Sequence, residues 1–260
     1  MHNFHTFMHK ELVESLRTKR LLVLGCVFLF FAITTPLLTR YMGEFFGMVM
    51  PAGDEANAAI IAAMSNMSWY DSYIQFYSQL AQIGVWSVLF MYMGTVAREI
   101  RTGTASLLFS KGLGYMPFVL AKFVMGIVLV TIVTVVSALV AHLYTYLLFG
   151  EAGQVSYVIY GALVFSLGAA ALLGIIILCS SLTKSSAAAG GMSFGIYFLM
   201  VLFGVIPRIG AYSPTALFNA PAAISLGDFA DTLLVTGIVA AVVAIVALVC
   251  ATRALMRAEG

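Results

Sequence analysis

Six apolar runs, each long enough to cross a bilayer, restrict this chain more than any other feature. A crossing takes about 20 mainly apolar residues. The chain offers such runs at about 21–39, 79–97, 118–149, 157–182, 187–206 and 232–252. In lipid, backbone polar groups are satisfied only within helices or a closed barrel, and apolar runs of this length without alternation are helical. The fold class read from the sequence is an all-α polytopic membrane protein with six transmembrane helices. Composition agrees: 9% of residues are charged and mean hydropathy is +1.03, against about 25% charged in soluble domains. The third run exceeds one crossing, so it tilts or projects beyond the membrane.

Basic residues orient the runs. One face of the predicted topology holds Lys10, Arg17, Lys19, Arg20, Arg98, Arg101, Lys111, Lys122, Lys184, Arg253 and Arg257, while the other holds only Arg40 and Arg208. The positive-inside rule makes the first face cytoplasmic. Both termini are then expected inside a cytoplasmic cell membrane. Glu44, Asp54, Glu55, Asp71, Glu151, Asp228 and Asp231 fall on the opposite face. About twenty mostly polar residues precede the first run, which is not the pattern of a signal peptide.

Residues 1–20 read as an interfacial amphipathic helix, ahead of a single six-span domain over 21–260. Phe4, Phe7 or Met8, Leu12 and Leu16 recur at helical spacing, and Lys10, Glu11, Glu14, Arg17 and Lys19 fall mostly elsewhere, a pattern suited to the membrane interface. His2, His5 and His9 have helical spacing, but no cysteine or acid completes a metal shell, so they read as a solvated helix face. Between the first two spans, Asp54 is expected to cap a short helix. Trp69, Tyr70, Tyr73, Phe76 and Tyr77 suit an outer aromatic belt, with the lining of an exit path as the rarer use. Gly191 and Gly195 form a GxxxG pair for close helix packing, within the chain or in a dimer. The proline-broken stretch from 205 to 221 suits a re-entrant or surface segment.

Chemistry is sparse. No HExxH, GxSxG or GxxxxGK[ST] occurs, nor an aspartate pair for proteolysis within the membrane. The sequence therefore predicts no catalytic residue, no metal and no nucleotide bound by the chain itself. Nothing suggests a nucleic-acid partner. Cys26, Cys179 and Cys250 sit in apolar runs and read as small apolar residues. No acid is expected inside a span, which disfavours an ion-coupled carrier. His142 is placed near the outer end of the third span, and Lys122 is expected to snorkel toward the inner interface.

One connection stands apart. "VAREIRTGTASLLFSKGLGYMPFVLAKF", residues 96–123, interrupts the apolar runs with charges, glycines and a proline. Thr102 or Thr104 is expected to cap a short helix lying along the membrane with a face toward the cytosol.

This stretch resembles the coupling-helix region of type-2 ABC transporter permeases, with Glu99, Gly103, Thr104, Leu107, Leu108, Ser110 and Lys122 in the matching places. "KELVESLRTKR" is similar to that family's N-terminal interfacial helix through Lys10, Glu11, Arg17 and Lys19, and "YSP" at Tyr212–Pro214 resembles a short outer motif before the last span. The proline of the family's LL-x-x-P pattern is absent; Lys111-Gly112 stands in that region. The resemblance implies the transmembrane subunit of an ATP-driven exporter. A second permease, identical or a sister, would complete the pathway. Two ATP-binding subunits, carrying ATP and magnesium, would dock on the helix near Arg101 to Ser110. Glu99 would support the local polar network, and Thr183, Lys184 and Ser185 would make a smaller second contact. The alternative is a non-transporting membrane scaffold recruiting a cytosolic partner. The substrate is not legible.

Overall fold

The computed structural model describes residues 2–50, 55–206 and 210–259. Every regular element among them is helical. In order these are α1 (His2–Arg17), α2 (Arg20–Val49), α3 (Glu55–Ser65), α4 (Trp69–Gln79), a π-helical turn (Leu80–Gly84), α5 (Val85–Tyr92), α6 (Ala97–Arg101), α7 (Thr104–Ser110), α8 (Tyr115–Phe149), α9 (Val155–Leu182), α10 (Ser186–Gly204), a 3-10 turn (Pro214–Phe218), α11 (Ala220–Ser225) and α12 (Leu233–Glu259). Six stretches are long and apolar enough to cross a membrane: α2, the near-continuous run Trp69–Arg101, α8, α9, α10 and α12 up to Arg257. At 1.5 Å per residue α8 is about 50 Å long, well beyond a hydrocarbon core of about 30 Å. The helix that carries the third run is thus longer than one straight crossing.

Helix α9 is the centre of the bundle. Of its most apolar window 78% is buried, against 17% for α10 and 28% for α2 and α12. Small residues allow this: Gly161, Gly168 and Gly174 let Pro221, Leu217 and Ala244 approach to distances that a larger side chain would contest. Close approach of this kind is the main source of packing energy between helices in lipid. One apolar cluster joins α2, α4, α5, α8 and α9 around Phe28, Tyr73, Phe76, Tyr77, Phe165 and Leu173. A second gathers Phe7, Val96, Ala105, Phe118, Ile177 and Leu255. That second cluster brings the start of the chain, the α6–α7 connection and the end of α12 to one end of the bundle, called the basic end below.

Several expectations change. The helix that carries the first run continues to Val49, ten residues past residue 39. The aromatic stretch 69–77 belongs to the second crossing. Tyr73, Phe76 and Tyr77 are core residues, with Tyr73 hydrogen-bonded to His142 Nδ1 at 2.6 Å, so they form no surface belt; Tyr70 remains exposed. The 3-10 turn and α11 are folded into the bundle, burying Pro214, Leu217, Phe218 and Ile224 against α9. The short helix near 55 exists, but Asp54, its expected cap, lies outside the described residues, as do Pro207, Arg208 and the side chains of Phe4, Leu12, Leu16, His2, His5 and His9.

Candidate functional site

The second crossing ends abruptly. A turn over residues 93–96 separates α5 from α6, and Gly103 then separates α6 from α7 with φ +72°. That left-handed conformation costs an L-residue about 1–2 kcal/mol, so glycine allows the chain to fold back here. Gly112, at φ +86°, makes the next reversal. Neither threonine caps α7 as expected. Gly103 is the N-cap, while Thr102 donates its hydroxyl to Arg98 O at 3.0 Å and meets Thr104 Oγ1 at 2.9 Å.

Helix α7 has two faces. Ala105 is buried, and Leu108 and Phe109 pack on the second cluster, where Phe109 meets Tyr115 and Phe118. Arg101, Leu107, Ser110 and Lys111 point away, and Leu107 is 65% exposed. This short helix therefore offers one large apolar side chain rimmed by polar and basic groups. It rests on a buried support.

The support is ionic. Lys122 is 2% exposed and donates to Glu11 Oε1 at 2.9 Å and to Glu99 Oε1 at 2.8 Å. Its ammonium also lies 4.9 Å from the Phe118 ring centre and 5.9 Å from that of Phe7. Lys10 adds a second cation at 3.5 Å from Glu99 and 3.6 Å from Glu14. Burying a lone charge is costly unless it is paired, and here one lysine neutralises carboxylates from two other elements. Lys122 therefore does not snorkel to the interface. Glu11 faces inward, 2% exposed, rather than lying on a solvated face. Glu99 lies in α6, beyond the turn that ends the second crossing, and is paired there with Lys122. The oxygens of Glu11, Glu14 and Glu99 converge within 4.8 Å. Two ammonium groups already occupy that space, so a metal ion would have to displace them.

Ser180, at the end of α9, supplies a part that the sequence did not suggest. Its Oγ accepts hydrogen bonds from the backbone N–H groups of Val96 and Ala97, at 3.0 and 2.9 Å. These are unpaired donors at the start of α6, capped from a distant helix. Beside them, the connection Thr183–Ser185 bends into α10. Thr183 donates to Ser185 O at 3.0 Å, and Ser185 Oγ accepts from Ala188 N at 3.4 Å. A Cβ on Gly94 would meet Ser186 Oγ at 2.6 Å, and one on Gly190 would meet Met93 Sδ at 2.6 Å. The two connections thus touch at the 93–97 bend. Lys184 and Ser185 are exposed there; Arg17 and Lys19 are exposed at the α1–α2 turn, away from the ion cluster.

Comparison with known families decides what this architecture belongs to. The family model described as ABC-2 family transporter protein matches residues 6–225. The chain belongs to the ABC-2 transporter family. No curated protein matches it. The match runs from α1 through α11 and so contains every element of the site described above. The protein is a multi-pass ABC transporter permease, the transmembrane component of a system whose ATP-binding subunit is generally separate.

One predicted packing site of the permease lies elsewhere than expected within the chain. Gly191 and Gly195 have nothing within 4 Å of an added Cβ. Contacts inside the chain fall to Ala189, Gly190 and Ser193 on the other side of α10. The GxxxG pair faces outward. Next to it a groove of about 520 Å³ opens between α10 and the π-helical turn, lined by Trp86, Tyr197 and Phe218 with Gln82 and Asn219. Among the described residues, no charged side chain lines it.

Proposed function

We propose that this permease is the membrane subunit of an ATP-driven exporter in the cytoplasmic membrane, with both termini in the cytosol. The α6–α7 connection is its coupling element, on which a separate ATP-binding subunit docks. The observation that carries this reading is the pairing of an exposed Leu107 with a support of buried ion pairs. A surface that only had to span and turn would need neither. The chain has no phosphate-binding loop of its own, so ATP and magnesium reside on the partner, of which two copies serve two permeases. The eleven-to-two basic bias favours the basic end as cytosolic.

Force on α7 has three routes into the membrane. Glu99 and Lys122 carry it to α8 and, through Glu11, to α1. Ser180 carries it to α9. The contacts of Gly94 with Ser186 and Gly190 with Met93 carry it to α10. The outward GxxxG face of α10 suits a second permease, identical or sister, and the uncharged groove beside it then lies along the pathway between the two. Thr183, Lys184 and Ser185 add a smaller contact with the ATP-binding subunit.

Co-purification with the native cytosolic fraction tests this. Wild type is expected to recover an ATP-binding cassette protein, and Leu107→Asp to lose at least ten-fold of it while remaining folded. No such protein with either form would leave the scaffold reading. Equal recovery from both would keep the transporter and move the docking site away from α7.

A further inference from the structure

At the basic end, away from α7, a groove of about 630 Å³ runs between the last turns of α9 and α12. Leu178, Leu182 and Cys250 form its apolar wall, and Arg253 and Arg257 stand at its rim. The two arginines are four residues apart on α12, so they share one helix face. Both are exposed, and among the described residues neither has a carboxylate within salt-bridge distance. Among the described residues, no acidic side chain lines the groove. The nearby Ser181 hydroxyl is already donated to Leu178 O at 2.7 Å. Two exposed guanidinium groups, without a counter-charge among the described residues, thus sit beside apolar surface.

Depth identifies the kind of anion. Arg253 lies twenty residues after Leu233, the start of α12, a rise of about 30 Å. That equals the thickness of the hydrocarbon core, about 30 Å. Arg253 therefore reaches the level where acyl chains give way to headgroups, and Arg257 lies one turn further out. Guanidinium forks match phosphate oxygens bidentately, and basic pockets between transmembrane helices on the cytoplasmic side suit lipid headgroups. We propose that this groove binds an anionic phospholipid, its phosphate held by Arg253 and Arg257 and an acyl chain lying along Leu178, Leu182 and Cys250. A free phosphate would satisfy the arginines but leave that wall unused. The proposal rests on the membrane orientation given above and is independent of export and of the ATP-binding partner.

The test is native mass spectrometry of the purified permease in detergent, without any ATP-binding subunit, after incubation with equal amounts of phosphatidylglycerol and phosphatidylcholine. Wild type is expected to retain phosphatidylglycerol at least five-fold over phosphatidylcholine. The Arg253→Gln/Arg257→Gln double variant is expected to fall to parity, and Arg253→Lys/Arg257→Lys to keep part of the preference. Both positions are exposed, so the variants should fold; a monodisperse elution profile checks this. Unchanged preference in the glutamine variant overturns the site. Displacement of the lipid by equimolar inorganic phosphate overturns the lipid as occupant. In the co-purification with the cytosolic fraction described above, loss of the ATP-binding subunit by the glutamine variant, with lipid retention unchanged, would overturn the lipid as occupant and give the groove to a protein partner.

Discussion

Lys122 shows why a single side chain can decide the shape of the basic end. It joins residues 111 and 23 positions away in sequence, Glu11 and Glu99. Removing it leaves two buried carboxylates sharing only the half-exposed Lys10. Breaking a buried pair in this way costs about 3–5 kcal/mol. Lys122→Met is therefore expected to lower the thermal midpoint of the purified permease clearly. Adding Glu11→Gln and Glu99→Gln to it should restore most of the loss, because neutral amides do not need a counter-charge. A Lys122→Met protein that melts with wild type would show that the cluster is not the support described. The partnership was not legible in the sequence. Lys122 and Glu99 each stood out there, but a lysine near the end of a span is equally suited to snorkelling, and only the fold brings Glu11 against it.

Helix α6 is five residues long, too short to be stable by itself, so its position depends on what holds its ends. Gly103 sets the C-terminal reversal, and Ser180 from α9 binds the first two N–H groups. Ser180→Ala leaves those two buried donors without an acceptor, at a cost of about 1–3 kcal/mol for an unsatisfied group. Amide hydrogen exchange at Val96 and Ala97 is expected to accelerate at least ten-fold in this variant, with the middle of α9 unchanged; equal rates would remove Ser180 from the site. The sequence did indicate the short helix that follows, α7, because glycines and a polar interruption between apolar runs are local signals. It assigned the cap of α7 to threonine where Gly103 stands instead, and the cap of α6, supplied by Ser180 from a helix more than 80 residues away, leaves no local trace. The aromatic stretch 69–77 was misplaced for a related reason. Tyrosine and tryptophan suit an interface by composition, but α4 continues into the second crossing through the π-helical turn, and three of its aromatics become core.

For the whole molecule, six spans and the clustering of basic residues were readable, because apolar length and charge distribution are properties of composition along the chain. Which face of each span meets its neighbours was not. The GxxxG pair of α10 illustrates this: its spacing promises close packing without saying with what, and among the described residues nothing lies within 4 Å of where a Cβ on either glycine would sit. Gly191→Leu with Gly195→Leu is therefore expected to leave the fold and melting behaviour of the isolated permease intact, while reducing association between permeases in cross-linking or single-molecule photobleaching. A collapse of the folded subunit would show that the face is internal.

The central claim is that an ATP-binding subunit rests on α7. A photoreactive amino acid at position 107, activated in native membranes, tests it most directly, with position 234 as control. Leu234 is also exposed, but it lies at the opposite end of α12 from Arg253 and Arg257. The account predicts a cross-link from position 107 to an ATP-binding cassette protein, and none from position 234. Intact, membrane-inserted protein that gives no such cross-link at 107, or gives it at 234, would contradict it.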